Sequence, residues 1–87
     1  MPKAQIVFQL KRAPPINFNL TLHAHAMQHG LAVQHIGMHP HSSGASMSVH
    51  VSGDLNRAKG FADHMVNNFN TYLHSAEVRF EDSARRI

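Results

Sequence analysis

The sequence predicts an α+β fold: a four-stranded antiparallel sheet with two helices on one face. Three observations carry this. Val33 to Asp54 reads as two strands joined by a polar turn. One helical period precedes that hairpin and another follows it. A strand-like alternation lies near each end of the chain. The element order is therefore β-α-β-β-α-β, the split βαβ or ferredoxin-like plan. Right-handed crossovers place the first and third strands in the middle of the sheet. With 87 residues the chain is one domain, 1–87, near the small end of what folds alone.

Each element has its own signature. Ala4 to Leu10 alternates, with Ile6, Phe8 and Leu10 expected inward. Lys11 to Pro15 is a loop, because Pro14-Pro15 cannot continue a central strand. Asn17 or Asn19 is suited to cap a first helix that runs to about His29. Leu20, Ala24, Met27 and Leu31 share one face of it, widened by Leu22 and Ala26. Gly30 is a suitable stop. Val33 to His39 then places Ile36 and Met38 inward, with His35 and His39 outward. Pro40 and Ser42-Ser43-Gly44 supply the turn. In the next strand, Ala45 to Ser52, Met47, Val49 and Val51 point in, while Ser46, Ser48, His50 and Ser52 point out.

Asp54 caps the second helix. Its apolar positions Leu55, Ala58, Phe61, Ala62, Met65, Phe69, Tyr72 and Leu73 recur at three and four residues, with Ser75 marking the exit. Gly60 inside that helix costs about 1 kcal/mol relative to Ala. Ala76 to Glu81 closes the sheet, with Val78 and Phe80 inward. Asp82 to Ile87 reads as a flexible tail.

Composition excludes several classes. There is no cysteine, so neither a disulfide framework nor a thiolate zinc site is available. No apolar run is long enough to span a membrane, and the N-terminus is a poor signal peptide, so a cytoplasmic location is the expectation. The formal charge is +3, with Lys11-Arg12 and Arg85-Arg86 the only basic pairs, too sparse for a nucleic-acid stripe. The nine histidines stand out. They make the net charge strongly dependent on pH near 6.5, the ordinary imidazole pKa.

The histidines also offer ligand sets. His25 and His29 sit four apart on the first helix, a spacing at which two imidazoles meet one metal. His35 and His39 share a strand face, and His50 is expected on the same face of the neighbouring strand. Three neutral imidazoles there would suit zinc, nickel or copper. Met27, Met38, Met47 and Met65 read as core filling. Ser42, Ser43, Ser46 and Ser48 lie among histidines, but nothing selects one Ser-His pair, and the acids Glu77 and Glu81 are on another strand, so a hydrolase dyad is disfavoured.

The run HGLAVQHIGMHPHSSGASMSVHVSGD, followed by a helix and VRF, resembles an ACT domain, a small regulatory amino-acid-binding module. Gly30-Leu31 matches the glycine and apolar residue that end the first helix in that family, and Gly53-Asp54 matches the start of the second. The length is similar to that of the small regulatory subunit of acetolactate synthase. The strand–helix junction, Ala13 to Asn17, lacks the family's usual glycine. Asn19, His23 and His25 occupy first-helix positions that the family usually fills with large apolar residues.

The resemblance implies a homodimeric, non-catalytic subunit that senses a small amino acid at its dimer interface and modulates a larger biosynthetic enzyme. It implies a ligand site at Asn17, Asn19 and Leu20, with no cofactor. Two alternatives remain at this point. One is a transition-metal domain holding zinc or nickel at His35, His39 and His50. The other is an interaction module that binds a protein or nucleic acid through the exposed sheet face.

Overall fold

β1 (Lys3–Leu10), α1 (Phe18–Gln28), β2 (Ala32–His41), β3 (Gly44–Ser52), α2 (Leu55–Asn68) and β4 (Leu73–Glu81) follow one another in the computed structural model, which describes residues 3–42 and 44–81. Ser43 of the expected turn and the tail expected over Asp82–Ile87 lie outside the described residues, as do the side chains of Phe80 and Glu81. The sheet order is β2-β3-β1-β4, all antiparallel, so β1 and β3 take the middle as the crossover rule requires. This is the ferredoxin-like α+β fold.

One core lies between the sheet and the helices. β1 gives it Ala4, Ile6 and Phe8, and β3 gives it Met47, Val49 and Val51. Register pairs them: Ile6 opposite Val49, Phe8 opposite Met47. α2 adds Ala58, Phe61, Ala62 and Met65, the stripe its period predicts. The Asp54 carboxylate accepts from the Arg57 backbone N–H at 2.8 Å, which satisfies one of the free donors at the helix start.

α1 buries only part of its expected apolar set: Leu22, Ala26 and the following Leu31 go inward, but Leu20, Ala24 and Met27 do not. Phe18, Leu22 and Ala26 are buried, whereas Leu20 is 72% and Met27 75% exposed. Both stripes have helical spacing. The buried one carries an aromatic ring, and Phe18 meets Phe69 edge-on at 5.4 Å and Tyr72 at 6.2 Å. Asn17 is the N-cap residue, but its side chain makes no capping bond.

Gly30 ends α1 as expected. It takes φ +73, and Leu31 N–H donates to the Ala26 carbonyl at 2.9 Å while Gly30 N–H donates to that of Met27 at 3.0 Å. That is the Schellman pattern, which ties off the last carbonyls. Arg57 lies across Gly30 where a Cβ would stand, so its cation rests at the negative end of α1.

Several boundaries differ from expectation. β2 continues through Pro40 to His41, which an edge strand tolerates because its outer N–H groups need no partner. Register shifts between Val33 and His35 leave Gln34 as a bulge. α2 stops at Asn68, and Leu73, expected on the helix, begins β4 opposite Leu10. Leu73 is buried in either element. Met38, expected inward, is 52% exposed on the edge strand.

Two substitutions report on this packing. Leu22→Ala is expected to cost about 2–5 kcal/mol by urea denaturation, as for a fully buried leucine. A Cβ at Gly60 would meet nothing nearer than His29 Nδ1, at 3.9 Å. The exposed helix interior therefore has room, and Gly60→Ala is expected to gain about 0.5–1 kcal/mol in the same measurement.

Candidate functional site

The sequence points to three places, and the structure arranges each differently. Asn17, Asn19 and Leu20 are all exposed at the start of α1. Ile16 precedes them, fully exposed, and Leu20 and Met27 lie along the solvent side of the helix with His23 between them. At the far end of that side a shallow groove runs over His23, Met27, Leu31 and Val33 onto the start of β2. Large apolar side chains thus line one flank of the molecule, beside an unpaired sheet edge.

His35, His39 and His50 share the sheet face that the helices leave open. His35 stands directly opposite His50, with ring centroids 5.6 Å apart. His39 is opposite Ser46, and its Nε2 hydrogen-bonds Ser48 Oγ at 2.9 Å. Gly37 lies between them. A Cβ there would sit 3.3 Å from Ser48 Oγ, 3.4 Å from His39 Nε2 and 3.6 Å from His35 Nε2. Two imidazoles and a hydroxyl therefore lean over bare backbone. Among the described residues no three His, Asp or Glu side chains form a group that could hold a metal ion.

Ser48 and His39 form a Ser-His hydrogen-bonded pair. Ser48 is buried in the middle of a central strand, between Val7 and Gly37. Its backbone belongs to two ladders, so it offers no free pair of N–H groups to a developing oxyanion. This is a polar packing contact.

A cluster that the sequence reading did not assemble joins the two helices. His64 of α2 enters between His25 and His29 of α1. Ring centroids are 4.9 Å apart for His25 and His64, and 5.1 Å for His29 and His64. Asn68 Nδ2 donates to the His64 carbonyl at 2.8 Å and stands 3.2 Å from His64 Nδ1. An amide nitrogen only donates, so His64 Nδ1 accepts there. His64 Nε2 then carries the ring proton and donates to His25 Nδ1 at 2.9 Å.

The rings also pack on aromatics. His25 is edge-on to Phe69 at 5.4 Å, and His29 meets Phe61 at 5.8 Å. Partial burial, and then the neighbouring His64 and His25 imidazoles, hold His29 below the ordinary imidazole value. The available signal was the position of His64, between the inward residues Phe61 and Met65, which put it at the rim of the buried stripe. No helix among the described residues is long and apolar enough to cross a membrane.

The sign of the pH effect follows. A histidine whose folded-state pKa is lowered binds fewer protons folded than unfolded. Its contribution is therefore present above about pH 6.5 and is lost as pH falls through the lower folded value. Urea midpoints are expected to drop between pH 7.5 and 5.5. The drop should be smaller in His29→Gln, which removes the titrating ring and keeps a polar side chain.

No family model matches the chain, and no curated protein matches it. Solved structures do. The crystal structure of acylphosphatase from Bacillus subtilis superposes with a TM-score of 0.63 at 16% identity, covering 95% of this chain and 88% of that one. The solution structure of the C-terminal domain of the MgtC protein from Mycobacterium tuberculosis gives a TM-score of 0.62 at 8% identity, covering 100% of this chain and 95% of that one. At such identities the likeness is one of fold, and it supports the ferredoxin-like plan.

Proposed function

We propose that this chain is a non-catalytic, ACT-like regulatory subunit. In this reading it pairs with a second copy of itself, binds a small amino acid at that interface, and so modulates a larger biosynthetic enzyme. The observation that carries the proposal is the solvent side of α1. A domain this small leaves Ile16, Leu20 and Met27 out of its core while placing Asn17 and Asn19 beside them. Contiguous exposed apolar surface next to polar groups marks an interaction site. A second copy suits it because a two-fold axis lets the same flank serve both partners. Asn17 makes no capping bond, which leaves its amide for a ligand's ammonium or carboxylate.

Regulation then follows by linkage. An amino acid that binds the dimer better than the separated subunits shifts the population toward the dimer. The partner enzyme senses that shift.

The test is sedimentation velocity joined to an amide NMR titration with leucine, isoleucine and valine. A dimer is expected, with shifts centred on Asn17 to Leu20. Leu20→Asp should weaken self-association at least tenfold. Because Leu20 is exposed, the substitution is expected to change monomer stability by less than about 0.5 kcal/mol. A monomer at high concentration, silent to all three amino acids, would sink the proposal.

A further inference from the structure

At the other end of the sheet the core opens into a hollow of about 280 Å³, and it has its own chemistry. Leu10 and Ala45 pair across β1 and β3, and with the half-exposed Met38 they make an apolar floor. The β1–α1 loop closes the space with Pro14 and places Lys11 and Arg12 along its lining. The loop is held in place, since Lys11 N–H donates to the Tyr72 carbonyl at 2.7 Å. Among the described residues neither Lys11 nor Arg12 has an ion-pair partner.

The geometry points to a binding site for a small aliphatic carboxylate, its apolar body on Leu10, Met38 and Ala45 and its charge on Arg12 and Lys11. The volume lies just under the range usual for small-molecule sites, roughly 300–1,000 Å³, so the ligand is small. Two cations with no ion-pair partner among the described residues favour an anion, and an Arg fork fits a carboxylate with two parallel hydrogen bonds. A phosphate is disfavoured. Phosphate cradles use runs of backbone N–H groups, and Pro14-Pro15 has none to give. Met38 is unbranched and flexible, so it can mould to the carbon skeleton. This inference goes beyond the regulatory reading and does not rest on it.

Three probes decide it by amide NMR: 4-methylpentanoate, the isosteric neutral 4-methylpentanamide, and inorganic phosphate. Saturable shifts are expected with the carboxylate at Leu10 to Ala13, Met38 and Ala45. The neutral amide should bind at least tenfold more weakly. The variant carrying both Lys11→Gln and Arg12→Gln should lose tenfold or more in affinity. Both positions are exposed, so its remaining spectrum should be unchanged.

Equal binding of acid and amide would overturn the inference, because the charges would then play no part. So would phosphate shifting these residues while the carboxylate stays silent, or carboxylate binding that survives the double substitution. Leucine shifts confined to Asn17 to Leu20, with no carboxylate response here, would overturn this site and leave the regulatory reading standing. Carboxylate shifts here in a protein that stays monomeric would do the reverse.

Discussion

The pairing of β1 with β3 is the contact on which the other elements depend. Neither strand has a free edge, so nearly all of their backbone groups are spent on neighbours. Their inward residues form a double row in which Ala4 faces Val51, Ile6 faces Val49 and Phe8 faces Met47. A slip of one residue would bring Gln5, Val7 and Gln9 under the helices, so burial holds the register. The outer strands and both helices are then additions to a fixed ribbon. β2 reaches it through β3, β4 through β1, and the helices pack on its one apolar face.

Periodicity reads the period of a helix but fixes its phase only where one side is polar. α2 meets that condition. Asp54 caps it, Lys59 and Asp63 face water, and its buried stripe was legible residue by residue. α1 does not meet it. Phe18, Leu22 and Ala26 run along one side, Leu20, Ala24 and Met27 along the other, and either set suits a sheet. The choice depends on tertiary contacts, chiefly the Phe18 ring against Phe69 and Tyr72. The end of α2 hid itself differently. Phe69, Tyr72 and Leu73 continue the helical spacing, yet Asn70 and Thr71 turn the chain, and Leu73 enters the core as a strand residue. The shared face of His35, His39 and His50 was legible from strand alternation, but the pairing of His35 with His50 was not, because it rests on a register that the Gln34 bulge sets. The joining of His64 to His25 and His29 was not, because it needs the packing of two helices remote in sequence.

The two-sided α1 has a consequence for the molecule's outline. Its second apolar stripe runs toward the start of β2, the open edge of the sheet. That edge is unevenly protected. Toward its end Pro40 removes a donor, and the Gln34 bulge breaks the ladder near its start. Backbone addition along the whole strand is thereby discouraged. Side-chain contact at the Leu31–Val33 end, where the groove lies, is left open.

The helix seam shows why histidine serves where lysine or asparagine would not. A neutral imidazole donates from one nitrogen and accepts at the other, so rings can be linked in series. Asn68 donates to His64, and His64 donates to His25. The ring bodies meanwhile pack on Phe61 and Phe69, which no ammonium group would do without losing its hydration. The lowered pKa of His29 is the electrostatic expression of that packing, set first by partial burial and then by the His64 and His25 rings.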